Sequence, residues 1–181
     1  MNPWHDLNPG SEAPSVVLAF NEISQKSSCK YELHKESGLL FLDRVLSSAV
    51  FYPQNYGFIP RTYCEDKDPL DIMILCQHPI QPGALVNCRP VGALKMVDGG
   101  EEDDKILAVC EGDPVFKHID NLSQVNPHTL KEIEQFFKTY KNLENKTVHI
   151  SGWQDRQGAH ALISQSFRLY EDLKKTLNVV S

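Results

Sequence analysis

The order of two hydrophobic periodicities constrains the fold of this chain more than any other feature. The first two-thirds consist of short strand-like segments, among them SVVLAF, DIMILCQ, ALVNCRPVGALKMVD and DKILAVC, and only the last third carries apolar residues at helical spacing. Many short strands followed by two helices predict an α+β fold, mainly β, with a closed or nearly closed barrel. The length of 181 residues suits one core, so residues 1–181 are predicted to form a single domain.

The remaining segments of the strand-rich part are less regular. CKYELHKESGLLFLDRVL predicts two strands joined at Glu36–Gly38, because alternation is present on both sides. VFYPQNYGFIPRTYC is interrupted by Pro53 and Pro60, which predicts extended but irregular backbone. The opening NPWHDLNPGSEAPS is rich in turn formers and is predicted to lie over the surface.

Two helices are predicted in the last third. Asn126 is a suitable N-cap, and Pro127 stands at the first helical position. The apolar face of this first helix comprises Leu130, Ile133, Phe137 and Tyr140. A second helix near ALISQSFRLYEDLKKTL presents Ile163, Phe167, Tyr170 and Leu177.

The stretch CEDKDPLDIM gathers three aspartates just before a buried strand. Asp68 precedes a proline and is predicted to be extended, so its side chain shares a face with Asp66. Asp71 opens a strand that is otherwise apolar and therefore lies at the edge of the core. By itself the segment fits an aspartate-rich turn as well as a metal site.

A second acidic segment, LKMVDGGEEDDKILAV, contains a glycine turn between two strand-like runs. A four-residue loop, Gly99–Glu102, would place Asp98 opposite Asp103. A solvated acidic loop would explain this segment alone. Together, however, the two segments place carboxylates at strand ends of one small domain, where they repel unless a cation is present. All-oxygen ligands favour Mg²⁺, Mn²⁺ or Ca²⁺, and the spacing does not fit an EF-hand.

Basic and phenolic residues also lie near predicted strand or helix ends. The bases are Lys30, Arg44, Lys105 and Lys141, and the phenols are Tyr52, Tyr56 and Tyr140. Each one alone is typical of surface or core positions. Beside a carboxylate cage, however, metals with Arg and Lys form the usual clamp for phosphoryl oxygens.

Composition excludes several other classes of protein. The net charge of −6 argues against a protein held on nucleic acid by phosphate contacts. The five cysteines form no C-x-x-C pair, which indicates reduced thiols and a cytoplasmic location, without a zinc site. The sequence has no secretory leader pattern and no apolar run of membrane-spanning length, so no membrane partner is expected.

These residues resemble the soluble family I inorganic pyrophosphatases. The segments that carry the resemblance are KYELHKESG, DRVLSSAVFYPQNYGFIPRT, EDKDPLDIMIL, CRPVGALKMVDGGEEDDKILAV and FFKTYKNLE. The resemblance implies an OB-like five-stranded closed barrel with flanking C-terminal helices. It also implies hydrolysis of pyrophosphate to two phosphates with Mg²⁺, for which Mn²⁺ is a substitute, and a homo-oligomer, by analogy a hexamer.

The resemblance also assigns roles to single residues. Asp66, Asp71, Asp98 and Asp103 look like metal ligands, with Asp71 bridging two ions, and Glu22 matches an acidic residue near further metals. Asp68 looks like the base that takes a proton from the attacking water. The substrate contacts look like Lys30, Arg44, Tyr56, Lys105, Tyr140 and Lys141, with Glu32 and Tyr52 as supporting residues. Lys67 departs from the family pattern, which has a small or short polar residue between the two aspartates.

Two other functions stay open at the level of sequence. One is hydrolysis of an organic phosphoanhydride such as a nucleotide, although the chain has no glycine-rich phosphate loop. The other is a relative that binds divalent metal or phosphate without turnover. The presence of Asp68 together with the whole basic set favours catalysis over binding alone.

Overall fold

The computed structural model describes residues 1–180, with side chains described through residue 176. The strands in this part of the chain are β1 (Val17–Ile23), β2 (Cys29–Leu33), β3 (Leu40–Val45), β4 (Asn55–Phe58), β5 (Asp71–Leu75), β6 (Leu85–Asp98), β7 (Glu101–Glu102), β8 (Lys105–Cys110) and β9 (Val148–Gln154). The helices are α1 (Pro127–Thr139) and α2 (Arg156–Val180), and short 3₁₀ turns cover Leu122–Gln124 and Asn142–Glu144.

Five of the strands close into a ring. Its order is β1, β4, β5, β8 and β6, and β6 pairs with β1 to complete the circle. The pairing of β5 with β8 is parallel, whereas the other pairings in the ring are antiparallel. Closure is possible because β6, with 14 residues, pairs with β1 near its start and with β8 further along. The predicted α+β class and closed five-stranded sheet are confirmed.

The apolar run of β5 is buried on both faces. Met73 belongs to the same hydrophobic cluster as Ile133 of α1. Its neighbour Ile72 points to the opposite face and belongs to a second cluster with Ile163 of α2. Because successive side chains enter two different cores, the strand needs apolar residues at every position after Asp71.

Helix α1 begins where the sequence predicts. The Asn126 side chain accepts a hydrogen bond from the backbone N–H of His128, and Pro127 occupies the first turn. Ile133 and Phe137 on the predicted apolar face are buried. In α2, Ile163 and Tyr170 of the predicted face are buried and Phe167 is partly buried, while the side chain of Leu177 lies outside the described residues.

The sequence predicts a wholly helical last third, and the structure shows that this prediction is wrong. Strand β9 lies between the two helices and pairs antiparallel with β6. Its segment VHISGWQ is only partly buried, so it lacks the strong apolar pattern of the ring strands. This segment becomes a strand because it forms backbone hydrogen bonds with the long strand β6, which is remote in sequence.

The opening segment does not simply cover the surface. Trp4 is 5% exposed, and its indole Nε1 donates a hydrogen bond to the carbonyl of Thr62 at 2.8 Å. It packs in a third cluster with Phe58 of the ring and Tyr170 of α2. The prediction of a surface segment is therefore wrong for Trp4. Burial of its large indole ring gains enough free energy to hold this residue inside although turn formers surround it.

Strands β2 and β3 form a separate two-stranded hairpin beside the ring, as the sequence predicts. Lys30 stands opposite Arg44 across the hairpin. The buried Glu22 at the end of β1 accepts a hydrogen bond from the backbone N–H of Leu33 at 2.8 Å and so ties the hairpin to the ring. None of the described helices is long and apolar enough to cross a membrane.

Candidate active site

A cavity of about 240 Å³ opens where β5 and β8 begin. Most of the predicted site residues line it, namely Glu22, Lys30, Glu32, Tyr52, Tyr56, Asp66, Asp68, Asp71, Asp103, Lys105, Tyr140 and Lys141. The other two lie close by. Asp98 contacts the ammonium group of Lys141 and the hydroxyl group of Tyr140, and Arg44 stands beside Lys30 in the hairpin.

The parallel pairing of β5 with β8 builds the centre of the site. It places Asp71 directly beside Lys105, whose ammonium group donates to Asp71 Oδ2 at 2.5 Å and also contacts Asp103. The hydroxyl group of Tyr56, from β4, donates to the same oxygen of Asp71 at 2.5 Å. One lysine thus faces two carboxylates, which leaves negative charge in excess.

Asp66 and Asp68 lie in a tight turn, not in an extended segment as the sequence had predicted. The N–H of Cys64 donates to the carbonyl of Asp68 at 2.9 Å, and the N–H of Lys67 donates to the carbonyl of Cys64 at 3.0 Å. The N–H of Asp68 donates to Asp66 Oδ1 at 3.1 Å. Lys67 has a φ of +68°, so the chain reverses there and both aspartates line the cavity. Local hydrogen bonds outweigh the strand alternation that the sequence suggested.

The hairpin between β6 and β7 is tighter than predicted. Asp98 pairs with Glu101, so the loop is Gly99–Gly100, and both glycines have positive φ. Asp98 is therefore not opposite Asp103, and the prediction of a four-residue loop is wrong. Asp103 instead follows the hairpin and approaches Lys105, whereas Asp98 contacts Lys141 beyond α1.

The β2–β3 hairpin supplies a basic wall. Lys30 contacts the carboxylate of Glu32. The guanidinium group of Arg44 donates through Nε to Glu144 at 3.2 Å and through Nη1 to Asp43 at 2.6 Å. Its Nη2 atom is buried and has no hydrogen-bond partner among the described side chains and backbone. A buried guanidinium nitrogen without a partner fits an anionic oxygen.

Burial and like charge make the carboxylates of the site unusual. Burial raises the pKa of Asp71, against the effect of Lys105. Burial raises the pKa of Asp66 to about 6, and burial together with Asp71 raises the pKa of Glu22 well above its usual range. Burial acts to lower the pKa of Lys105, but Asp103 and Asp71 outweigh it, so that pKa is raised. The negative charge of these carboxylates is only partly compensated.

The phenols of the site remain neutral donors. Burial raises the pKa of Tyr52 and Tyr140, and burial and Asp71 raise that of Tyr56 well above its ordinary value. A protonated phenol can donate a hydrogen bond to an oxyanion without adding charge.

Comparison with known proteins identifies the family. Residues 19–171 match the family model described as "Inorganic pyrophosphatase". The chain belongs to the inorganic pyrophosphatase family. The prediction of family and of enzyme class from the sequence is confirmed, and membership implies dependence on a divalent metal.

Individual members of the inorganic pyrophosphatase family agree along most of the chain. "Soluble inorganic pyrophosphatase 3" of Arabidopsis thaliana is 49% identical over 171 residues, which cover 94% of this chain and 79% of that protein. "Soluble inorganic pyrophosphatase PPA1" of Solanum tuberosum is likewise 49% identical over 171 residues, covering 94% of this chain and 81% of that protein. The crystal structure of the inorganic pyrophosphatase from Thermus thermophilus superposes with a TM-score of 0.91 at 39% identity, over 94% of this chain and 99% of that one.

The residues of this pyrophosphatase fit a hard divalent cation by the chemistry of their donors. The carboxylates that line the cavity offer oxygens whose charge is only partly compensated. Such oxygens are the ligand type that Mg²⁺ and Mn²⁺ prefer. Within residues 1–176, no three acidic, histidine or cysteine side chains are placed so as to hold one ion. Lys105 contacts both Asp71 and Asp103, and Lys141 contacts Asp98, so ammonium groups supply the positive charge next to these carboxylates.

Several residues of the cavity wall were not predicted from the sequence. They include Trp4, Leu33, Lys35 and Phe58. Trp4 comes from the segment that was assigned to the surface, and Lys35 follows β2 at a position where strand alternation no longer applies. Among the predicted residues, Glu22 is buried near the end of β1, where it is the single acidic residue of the strand.

Proposed function

We propose that this chain hydrolyses inorganic pyrophosphate to two phosphate ions in the cavity at the start of β5 and β8. The observation that carries the proposal is one cavity lined by an excess of carboxylates together with basic side chains. Lys30 and Lys141 line the cavity among these carboxylates, and Arg44 stands opposite Lys30 in the adjoining hairpin. Pyrophosphate needs both, because divalent cations accompany it and its oxygens need basic donors.

The metal ions are proposed to be Mg²⁺, with Mn²⁺ as a substitute. The residues that would hold them are Asp66, Asp71, Asp98, Asp103 and Glu22. When bound, such ions lower the pKa of water and shield the charge of the substrate. Tyr56 and Lys105 orient Asp71 through two hydrogen bonds of 2.5 Å, so this carboxylate is positioned before any ion arrives.

Proton transfer and substrate binding are assigned to the remaining residues. Asp68 stands in the cavity wall with its side chain 51% exposed, where it accepts the proton of the attacking water. The phosphoryl oxygens are bound by Lys30, Arg44, Tyr140 and Lys141, and the unpartnered Nη2 atom of Arg44 is one donor already available for them. Tyr52 and Glu32 support these groups from the wall.

The organisation of the protein stays a set of predictions. We infer a single domain over residues 1–181 and a homo-oligomer, by family analogy a hexamer. Pyrophosphate is the proposed partner, with no nucleic acid and no membrane. A cytoplasmic location is the prediction from the five free cysteines.

Phosphate release by the purified chain tests the proposal. Pyrophosphate is supplied with Mg²⁺, with Mn²⁺ and with a chelator, and ATP serves as a parallel substrate. We expect fast release that requires the metal and is weak with ATP. The Asp68→Asn variant should lose roughly 10²- to 10⁴-fold in rate, the range for removal of a general base.

A matched control separates the chemistry from a general effect of charge. Asp172→Asn removes an exposed carboxylate of α2 that pairs with Lys175 and should leave the rate unchanged. A folded wild-type chain that releases no phosphate with either metal would disprove the proposal and favour a role in binding alone. Equal rates with ATP and pyrophosphate would instead favour an organic phosphoanhydride as substrate.

A further inference from the structure

The carboxylate of Asp68 depends on another part of the chain for its orientation. The hydrogen bonds of its turn use its backbone N–H and carbonyl groups, not its side chain. Among the described residues, the charged group that contacts its carboxylate is the ammonium group of Lys35. The same ammonium group donates to the carbonyl of Lys67 at 3.2 Å. Lys35 therefore holds both the side chain and the backbone of the turn.

Lys35 is itself held by the opening segment of the chain. Its carbonyl accepts a hydrogen bond from the side chain of Asn2 at 2.7 Å. Its ammonium group lies over the indole ring of Trp4, at 5.6 Å from the ring centre. A cation over an aromatic face is attracted to it, so the opening segment holds Lys35 once by its backbone and once by its ammonium group.

The indole ring is a rigid base for this arrangement. Trp4 is 5% exposed and donates from Nε1 to the carbonyl of Thr62 at 2.8 Å. The hydroxyl oxygen of Thr62 in turn accepts from the N–H of Leu70 at 2.8 Å, directly before β5. The same contacts therefore fix both Trp4 and the chain that enters the catalytic strand.

From these contacts we infer that Lys35 is a positioning residue for the reaction, which aims the carboxylate of Asp68 into the cavity and is itself placed by Trp4. The inference rests on the proposed function, in which Asp68 accepts the proton. The ion pair is half exposed, so its direct effect on folding is small. The effect on the rate is larger, because a misplacement of about 1 Å can cost roughly 100-fold in catalysis.

Kinetics of two substitutions test this role. Lys35→Met replaces the side chain by an unbranched stem without the charged ammonium group, whereas Lys35→Arg keeps the charge. With pyrophosphate and saturating Mg²⁺, Lys35→Met should lower kcat by about tenfold or more and leave KM within about twofold, because a misplaced base weakens the reaction and not the binding. Lys35→Arg should recover most of the lost kcat.

Lys174 offers a matched control. Its ammonium group also lies over an aromatic ring, that of Tyr170 at 5.9 Å, and pairs with a carboxylate, that of Glu171 at 3.6 Å. It lies on α2 and does not line the cavity. Lys174→Met should therefore keep the wild-type kcat and KM.

A spectroscopic measurement on the metal-free protein tests the geometry without activity. The chain has two tryptophans, so the indole N–H resonance of Trp4 can be assigned by a Trp153→Phe variant. Lys35→Met should shift the Trp4 resonance, and Lys174→Met should not, because Lys35 lies over that ring and Lys174 lies over the ring of Tyr170.

The outcomes distinguish the inference from the function on which it rests. A wild-type chain without pyrophosphatase activity would contradict the proposed function. An active wild type with an unchanged kcat in Lys35→Met would overturn the inference alone. A raised KM at constant kcat would also overturn it, because Lys35 would then bind substrate, as would a Trp4 resonance that does not move.

Discussion

Asp71 begins β5, and Asp113 lies beyond the other end of this strand, yet the two carboxylates are held in opposite ways. Asp71 has Asp103 nearby and shares one lysine with it. Asp113 accepts backbone N–H groups from Gln77 at 2.6 Å and from Val115 at 2.8 Å. Asp71 is the first residue of β5, and Gln77, which donates to Asp113, lies just after the last residue of the same strand.

The two surroundings change acidity in opposite directions. Burial raises the pKa of Asp71, and Lys105 compensates it only in part. Burial also acts to raise the pKa of Asp113, but the N–H donors of Gln77 and Val115 outweigh it and lower the pKa. A carboxylate that closes a loop has its charge satisfied by the backbone, whereas a carboxylate of the site keeps charge for a ligand.

Removal of the charge at the catalytic end should have the largest effect in this comparison. Asp71→Asn should reduce the rate of phosphate release by roughly 10³-fold, because an oriented charge of the site is lost. The free energy of unfolding in chelator should stay within about 1 kcal/mol of wild type. Lys105 keeps Asp103 as its partner, and Asp103 no longer faces the like charge of Asp71. Phosphate release and urea unfolding measure the two effects. A rate within tenfold of wild type would remove the distinction between the Asp71 and Asp113 ends of β5.

The corresponding change at the other end should affect stability and not catalysis. Asp113→Asn should lower the free energy of unfolding at pH 7 by about 2 kcal/mol, since an amide replaces a charged acceptor of two N–H groups. The rate per folded molecule should equal that of wild type. A large loss of rate in a folded protein would contradict the separation of the two ends.

The pH dependence of the Asp113 variant follows from the direction of its pKa. A pKa that is lower in the folded chain contributes stability above the unfolded value, which is about 3.9 for aspartate, and this stability is lost as pH falls through the folded pKa. The difference between wild type and Asp113→Asn should therefore be complete at pH 7 and shrink below about pH 4. Urea unfolding at several pH values measures it, and a difference that grows in acid would disprove the assignment.

The smallest expected effect concerns backbone strain at the two ends. Lys67, between the aspartates of the site, has a φ of +68°, and Lys26, in the turn after β1, has a φ of +67°. The turn of Lys26 is joined to the Asp113 end of β5 by Asn55. This side chain accepts a hydrogen bond from the N–H of Gln25 and donates one to the carbonyl of His78. Replacement of either lysine by glycine should raise the free energy of unfolding by about 0.5 kcal/mol, as relief of strain exceeds the entropy of a freer unfolded chain.

Thermal unfolding and kinetics of these two variants sharpen the comparison. Lys26→Gly should keep the wild-type rate, because its turn does not line the cavity. Lys67→Gly should combine the same gain in stability with a changed rate, because the freer backbone of glycine loosens the position of the carbonyl that accepts from Lys35. Equal rates in both variants would show that the turn orients Asp68 without that contact.

Much of the fold and most of the site were predictable from the sequence. Strand β5 follows from the run after Asp71, and α1 follows from Asn126 and Pro127, because burial periodicity and capping act within a few residues. The cavity residues follow from residue type, since carboxylates, bases and phenols at strand ends favour one chemistry. The family resemblance assigned them their separate roles.

The parts that were missed depend on partners far along the chain. Strand β9 is stabilised by β6, Trp4 by Thr62, and the contact of Lys35 with Asp68 by a hairpin outside the ring. The loop Gly99–Gly100 was missed for a different reason, because two glycines permit either a two-residue or a four-residue turn and the pairing of Asp98 with Glu101 selects the shorter one.

The amino-acid sequence alone determines which segments bury their side chains and which residues can bind cations and phosphate, because both depend on local pattern and residue chemistry. The tertiary structure alone decides which of these residues meet. The parallel register of β5 and β8 puts Lys105 against Asp71, and the packing of the opening segment puts Trp4 beneath Lys35. Such contacts join positions distant in sequence, and burial of apolar side chains in the surrounding clusters supplies the free energy that holds them together.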